Sequence, residues 1–438
     1  MSKTSHGGRG RVSLHAALDD YPQSSHIPYV HTYADRATLA GSSVCILLAD
    51  DRRPDLSLYL MWLAGEGIGP EQIYWVEPNG VPDRLYPAIA QDLVLRAKLI
   101  AYAHRGGKID LFSPSAVAET FLVSLGLGWN HTTFPTPDAA SVADDKLKLR
   151  SLAVGIKGLR DVFPQHHLCK SETALKHAFG NFLHAHDGVV IKDPCSVSTD
   201  GMIFTRDAGG LEEFIARFWN PRHGAIVEAL HPHLPVSAVW DLSEKGPRFM
   251  YVSLQFMDGV PYGQYITMED LLKPNPCKHR GNAVASRTTL GPIEKHHMEA
   301  VQEQTRKLAS VLWYGTPGIA PYRGRICLDC LLLPDGQVLI TEANARISNS
   351  MYAFGVLEQV KRGFAGGKVV VLMSNEHTRL KSFQELRWNM GCQLYTAGRG
   401  GLIPYHVRAM PGGKCGLIAV APTYREALEM LTEGECHL

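Results

Sequence analysis

One short stretch constrains the fold of this chain more than any other: the pair Asp335-Gly336, which lies between two apolar runs. An Asp-Gly pair in this setting is a strong signal for a β-hairpin. We therefore predict two antiparallel strands over residues 325–332 and 338–342. Both runs are largely apolar, so we expect these strands to be buried.

Three oxygen-bearing side chains interrupt the apolar character of this hairpin. Asp329 lies on the first strand, and Glu342 and Asn344 lie at the end of the second, two residues apart and hence on one face. Any one of them alone would be explained by a strand edge or a surface ion pair. Together they favour a hard divalent cation, because a bare buried carboxylate is costly and Mg²⁺ takes oxygen ligands. The sequence predicts a Mg²⁺ site here.

Two lysines precede the hairpin in positions that suit phosphate binding. Lys146 follows Asp145 within a helix that we predict over residues 142–154, and Lys192 ends the apolar run 189–191. A single lysine is usually a solvated surface residue, but the end of a buried strand is an unusual place for one. Each ammonium is a compact charge of the kind that phosphate groups attract.

These positions, in this order, resemble the ATP-grasp superfamily, in which an Asp…Glu-x-Asn hairpin holds Mg²⁺ on the phosphates of ATP. The resemblance implies that an arginine stabilises the oxyanion of the reaction. Arg346 matches the arginine of a Glu-x-Asn-x-Arg ending, whereas Arg325 lies ahead of the metal aspartate, where Cys327 occupies the nearer position. The choice between the two arginines stays open.

The resemblance also implies a nucleotide site upstream of the hairpin. A small loop after Lys192 would fold over the phosphates, although a plain hairpin turn is the structural alternative. A glutamate and the backbone after it would contact adenine, while the acid that often binds ribose has no counterpart in residues 231–235. The implied residues are Ser196, Ser198 and Gly201 for the loop, and Glu228, Ala229 and Leu230 for adenine.

The resemblance covers about residues 145–371 and implies an α/β (α+β) chain with the ATP-grasp fold. Strands alternate with helices before residue 137, which predicts a parallel α/β domain of the pre-ATP-grasp type. We expect a flexible tail (1–20), the N-terminal α/β domain (21–137), an ATP-grasp core (138–375) with its nucleotide-binding part at about 142–232, and a small C-terminal unit (376–438).

As a whole, the chain resembles the peptide ligases typified by the one of pheganomycin biosynthesis. Such an enzyme activates an amino-acid carboxylate as an acylphosphate with ATP and couples it to the N-terminal amine of a peptide, releasing ADP and phosphate. The alternatives are a ligase or carboxylase with a non-peptide acceptor, a kinase on the same fold, and a nucleotide-binding regulator without catalysis.

Composition excludes several other classes of function. The formal net charge of +1 over 438 residues indicates neither a nucleic-acid nor a membrane-surface partner. No run approaches the ~18–20 apolar residues of a membrane span, so we expect a cytoplasmic protein.

Nine scattered cysteines are typical of a protein in a reducing compartment. Cys327 and Cys330 would face opposite sides of a strand, so we do not expect them to share a metal. The oligomeric state stays open, with a homodimer among the candidates.

Overall fold

The computed structural model describes residues 10–20, 30–49, 53–78, 84–196, 201–256, 281–286, 293–316 and 320–438. The chain divides into two compact units. Unit 1 comprises Met1–Pro137, His279–Gly291 and Arg346–Leu438, and unit 2 comprises Asp138–Lys278 and Pro292–Ala345. Unit 1 is therefore assembled from three separate stretches of sequence.

Unit 1 begins with a parallel sheet, as the alternating pattern predicted. Its strands in the described residues lie in the order β3-β2-β1-β4, and every pairing is parallel. The strands are β1 (Arg11–Leu14), β2 (Val44–Leu48), β3 (Gln72–Val76) and β4 (Lys108–Leu111). The helices are α1 (Ala17–Asp20), a 3₁₀ helix (Val30–Leu39), α2 (Arg53–Gly65), α3 (Leu85–Gln91), α4 (Leu93–His104) and α5 (Ala116–Ser124).

Strand β1 corrects the prediction of a flexible tail over residues 1–20. It lies between β2 and β4, where Val12 pairs with Val44 on one side and Ile109 on the other. This strand is short and contains polar residues, so it lacks the apolar run that predicts a buried strand. In the structure they find partners, since the Ser13 and Ser42 hydroxyls are buried and hydrogen-bonded at 2.5 Å.

Asp20 gives unit 1 a specific dependence on pH. Its buried carboxylate accepts hydrogen bonds from the Ser115 hydroxyl at 2.7 Å, the Ser113 backbone N–H at 3.1 Å and the Tyr86 hydroxyl at 3.2 Å. Burial nevertheless raises the pKa of Asp20 from its ordinary value of 3.8 to about 8. The folded state thus holds this proton more tightly than the unfolded chain does, so this group lowers the free energy of unfolding as the pH rises from about 4 to about 8.

Replacing Asp20 by Asn should remove this dependence. Between about pH 4 and pH 8, we expect the free energy of unfolding of the wild type to fall relative to that of Asp20→Asn by up to ~1.4 kcal/mol per pH unit. Above about pH 8, the difference between the two proteins should stay constant. Urea unfolding of both proteins at several pH values from 5 to 9 measures the difference. A difference that stays constant over this range would show that Asp20 is ionised throughout.

Unit 2 contains a small antiparallel sheet, which in the described residues has the strand order β5-β8-β6-β7. Two helices cover one face of this sheet. Apolar side chains of the helices and alternate apolar side chains of the strands together form one core. The strands are β5 (His166–Cys169), β6 (Val189–Lys192), β7 (Met202–Thr205) and β8 (Ala225–Ala229). The helices are α6 (Pro137–Asp144), α7 (Lys146–Val154), α8 (Glu172–Ala185) and α9 (Ala208–Arg217), of which α8 and α9 cover the sheet.

A larger antiparallel arrangement in unit 2 contains the predicted hairpin. Its described strands are β9 (Leu234–Ser243), β10 (Gly246–Phe256), β12 (Gly324–Leu332) and β13 (Val338–Asn344), in the order β13-β12-β9-β10; β11 (Gly281–Ala285) belongs to unit 1. The long helix α10 (Lys295–Tyr314) packs on one face, where the Trp240 ring N–H donates to the buried Thr305 hydroxyl at 3.0 Å. The pairing of β12 with β13 confirms the hairpin.

The last part of the chain differs from the separate C-terminal unit expected over residues 376–438. Strand β16 pairs with β14 along its whole length, so this segment belongs to an antiparallel sheet of unit 1 that is distinct from the parallel sheet. The described strands of this sheet are β11, β14 (Val370–His377), β15 (Gly401–Tyr405) and β16 (Lys414–Ala421), and the helices are α11 (Asn349–Val360), α12 (Phe383–Met390) and α13 (Tyr424–Glu435). No helix of the described residues has the length and apolar character that crossing a membrane requires.

Candidate active site

Strand alternation places two charged side chains on the same face of the small sheet of unit 2. Val189 and Ile191 of β6 belong to the core beneath α8 and α9, so Lys192 points to the other face. The same argument applies in β8, where Val227 lies in that core and Glu228 does not. Lys192 and Glu228 are 3% and 2% exposed, and their Nζ and Oε2 atoms lie 2.5 Å apart.

Helix α7 adds a third charge, which the sequence analysis missed. Arg150 is fully buried, and its Nη2 donates to Glu228 Oε1 and, at 2.9 Å, to the backbone carbonyl of Thr341 in β13. Its guanidinium also lies over the Phe163 ring, 5.2 Å from the centroid. The available signal was the four-residue spacing from Lys146, which places both cations on one face of the helix.

The start of α7 corrects one predicted boundary. The single helix expected over residues 142–154 is two helices, α6 and α7, which are separated at Asp145. Asp145 has extended backbone, and its carboxylate accepts from the N–H groups of Leu147 and Lys148 at 2.9 and 3.1 Å. It is therefore the N-cap that sets where Lys146 stands.

Arg150 and Lys192 favour the ionised form of Glu228. Burial alone would raise the pKa of Glu228, but Arg150 and Lys192 outweigh burial and lower it. For Lys192, burial is the largest influence and lowers the pKa, and Arg150 adds to that effect while Glu228 opposes it. The single carboxylate of Glu228 thus pairs with both Arg150 and Lys192, and the remaining positive charge favours the binding of an anion.

The hairpin brings together the three oxygen-bearing side chains that the sequence singled out. Asp329 pairs with Glu342 in register, and the Asn344 amide nitrogen donates to Asp329 Oδ2 at 2.9 Å and lies 3.4 Å from Glu342 Oε1. Two further residues, which the sequence analysis missed, hold the aspartate. Asp329 Oδ1 accepts from the Ser237 hydroxyl at 2.6 Å and from the Gln255 amide at 2.9 Å.

Lys146 connects the hairpin with the turn that follows β6. Its buried Nζ lies 2.9 Å from Glu342 Oε2 and donates to the backbone carbonyl of Ser196 at 2.7 Å. The turn is closed by a 2.8 Å hydrogen bond from the Asp193 N–H to the Gly201 carbonyl. Gly201 has a φ of +76°, and a Cβ on it would lie 2.6 Å from Ser196 Cβ, so only glycine fits. Ser198 lies outside the described residues.

The residues proposed to contact adenine have other partners in this structure. Both carboxylate oxygens of Glu228 bind cations, because a buried Arg150 and Lys192 need a counter-ion. The N–H of Ala229 donates to the Gln165 carbonyl, and that of Leu230 donates to the Gly188 carbonyl, both at 3.1 Å. Contact between these N–H groups and a base would therefore require a backbone hydrogen bond to break.

The two candidate arginines for the oxyanion differ in their positions. Arg325 is the second residue of β12 and lies opposite Asp241 of β9. Cys327 and Asp329 share a face of that strand, with Sγ and Oδ1 3.6 Å apart, and alternation places Arg325 on the same face. Arg346 follows Asn344 by two residues and begins the last stretch of unit 1.

The donor set of the hairpin fits Mg²⁺. Two carboxylates and one amide oxygen are hard ligands of the kind that Mg²⁺ takes together with water and phosphate oxygens. Asn344 now turns its amide nitrogen toward both carboxylates, as expected where two negative groups lie close together. To bind a cation it would present Oδ1 instead.

Comparison with known proteins gives a likeness in structure alone. No family model matches the sequence, and no curated protein matches it at a significant level. An N5-carboxyaminoimidazole ribonucleotide synthetase in complex with ADP is 13% identical, with 97% of this chain and 95% of that chain covered and a TM-score of 0.53. A biotin carboxylase from Campylobacter jejuni is 12% identical, with 97% and 90% covered and a TM-score of 0.52.

A third structure, the N5-carboxyaminoimidazole synthase of Aspergillus clavatus with ADP and 5-aminoimidazole ribonucleotide, is 10% identical. It covers 91% of this chain and 99% of its own, with a TM-score of 0.52. At such low identity the likeness reports the path of the backbone and not the chemistry. The parallel sheet of unit 1, the two antiparallel sheets of unit 2 and this likeness together show that the chain has the ATP-grasp fold.

Proposed function

We propose that unit 2 binds ATP and that the protein is an ADP-forming ligase, which joins a carboxylic acid to an amine. The position of Lys146 Nζ carries the proposal. This buried ammonium lies within hydrogen-bond distance of Glu342 on the hairpin and of the Ser196 carbonyl on the turn after β6. A phosphate chain placed beside Lys146 would meet the metal ligands of the hairpin and the backbone of the turn.

The proposed reaction has two steps. A carboxylate oxygen of the acid attacks the γ-phosphorus of ATP, and the bond from this phosphorus to ADP breaks. The amine nitrogen then attacks the acyl carbon of the resulting acylphosphate, loses a proton, and phosphate departs. Phosphoryl transfer of this kind depends on positioning and charge neutralisation more than on covalent help from protein groups.

The side chains of unit 2 match these needs. Lys146 and Lys192 would hold the phosphates, and the excess positive charge beside Glu228 would favour their binding. Asp329, Glu342 and Asn344 would hold Mg²⁺, which when bound neutralises charge on phosphate oxygens. Arg325 or Arg346 would donate to the oxyanion of the second step, where one well-placed donor contributes ~3–4 kcal/mol.

For the substrates, we propose an amino-acid-like carboxylic acid and the N-terminal amine of a peptide. The sequence resemblance to peptide ligases of the pheganomycin type supports this choice. A second candidate is carboxylation, in which bicarbonate serves as the acid and a carbamate is the product. The likeness to a biotin carboxylase and to carboxyaminoimidazole synthetases favours keeping this candidate.

The nucleotide products test the reaction class. Purified protein with ATP, Mg²⁺ and a panel of acids and amines should release ADP and free phosphate in equal amounts only when both substrates are present. Mass spectrometry of the products separates amino acids with short peptides from bicarbonate with amines. Release of AMP and pyrophosphate would overturn the proposal, and so would ADP formation without free phosphate, as a kinase would give. ATP binding without turnover for every pair would favour a regulator.

A further inference from the structure

Three metal-ligating side chains of different chemistry meet beside the turn that follows Lys192. Asp193 and Cys195 lie on that turn, and His223 lies on the turn that precedes β8. One carboxylate oxygen, the thiol sulfur and one ring nitrogen all lie within 4.8 Å of one another. None of these three side chains has a part in the proposed ligase reaction.

Hydrogen bonds within the turns bring these groups to one point. Asp193 Oδ1 accepts from the Cys195 N–H at 2.9 Å, which folds the cysteine back toward the carboxylate. His223 Nδ1 lies 3.3 Å from the same oxygen, and the His223 N–H closes its own turn on the Asn220 carbonyl at 3.0 Å. Ligand atoms bound to tetrahedral Zn²⁺ at their usual bond lengths lie roughly 3.3–3.8 Å apart. Side-chain rotation alone can supply the remaining adjustment.

We propose that Asp193, Cys195 and His223 bind a divalent transition metal of the Zn²⁺ type, with water in the fourth position. A thiolate, an imidazole and a carboxylate form a mixed set that suits Zn²⁺, whereas Mg²⁺ selects oxygen ligands like those of the hairpin. A surface pair of Asp193 with His223 would explain two of the three positions. It would not explain why the Cys195 thiol is brought to the same place.

Cobalt substitution tests the site directly, without ATP or the ligase substrates. The full-length protein, freed of metal by chelator dialysis, should bind Co²⁺ with the absorption of a thiolate-to-cobalt charge transfer, and Zn²⁺ should displace it. Cys195→Ser should abolish that absorption. His223→Ala should weaken Zn²⁺ binding by at least about 10-fold, because removal of a residue that only contacts a metal ligand already costs about this much affinity. Competition with a chromophoric chelator measures the affinity.

Matched controls come from exposed residues of the same types elsewhere. Cys392→Ser removes an exposed thiol of unit 1, and His177→Ala removes an exposed histidine of α8. Both should bind Co²⁺ and Zn²⁺ as the wild type does. Because Cys195 and His223 are exposed, their variants should keep the thermal unfolding midpoint of the wild type. The proposal is overturned if Cys195→Ser keeps the absorption or if the wild type never shows it. Loss of ligase activity would leave this result unaffected.

Discussion

Replacing Glu342 by Gln is expected to lower the rate of ATP-dependent ADP release about 100- to 1000-fold, the scale seen when one preorganised electrostatic group is removed from an active site. The substitution keeps the size of the side chain but removes the negative charge that faces Lys146 Nζ at 2.9 Å and completes the proposed Mg²⁺ ligand set. Initial rates at increasing Mg²⁺ concentration measure the effect. The concentration of Mg²⁺ needed for half-maximal rate should rise.

The matched control is Glu244→Gln, which changes an exposed glutamate after β9 in the same unit. It should leave both the rate and the Mg²⁺ dependence unchanged. Glu342→Gln should lose less stability than Glu228→Gln, because the Glu342 side chain is partly exposed and Lys146 keeps the Ser196 carbonyl as an acceptor. A rate within about threefold of the wild type would remove Glu342 from the active site.

Replacing Glu228 by Gln should destabilise unit 2 by about 3–5 kcal/mol, the usual consequence of leaving buried charge without its partner. The substitution leaves the guanidinium of Arg150 and the ammonium of Lys192 buried together without the carboxylate between them. Burial already lowers the pKa of Lys192, so the variant should release that proton more readily. Its defect in the free energy of unfolding should therefore shrink as the pH rises.

Urea unfolding at pH 7 and pH 9 measures this defect, and Glu172→Gln is its control. Glu172 forms an exposed pair with Lys176, whose loss should cost no more than ~1 kcal/mol. Adding Lys192→Met to Glu228→Gln removes one uncompensated charge and should restore part of the stability. The sequence resemblance implies that Glu228 contacts adenine. If that were its only role, Glu228→Gln would raise the KM for ATP without changing stability.

Much of the fold could be predicted because its signals are local. The Asp-Gly turn between apolar runs predicted β12 and β13, and the structure confirms both. The predicted alternation of strands and helices before residue 137 is also present, from β1 to α5. Thr423 and Glu426, which are three residues apart in the sequence, form a capping box at the start of α13. In each case, neighbouring residues carry all of the information that the element needs.

The site contacts that could not be predicted from the sequence depend on the pairing of segments that are distant along the chain. Ser237 and Gln255 contact Asp329 only because β9, β10 and β12 lie side by side in the sheet. The sequence of one strand does not indicate which polar residue of another strand will face it. Arg150 resembles any exposed helical arginine until β8 and β13 supply Glu228 and the Thr341 carbonyl. The adenine-contacting role that the resemblance implies for Glu228 gave no indication of the buried Arg150 beside it.

The division of unit 1 into three stretches fixes an order of assembly during synthesis. Strand β1 is synthesised before the other described strands of unit 1, and β14 acquires its partner β16 only after the chain has been made beyond residue 421. All of unit 2 lies before residue 346. Domains fold as units once their own segments are available. All segments of the unit with the candidate active site are therefore synthesised before the last strands of unit 1, β15 and β16.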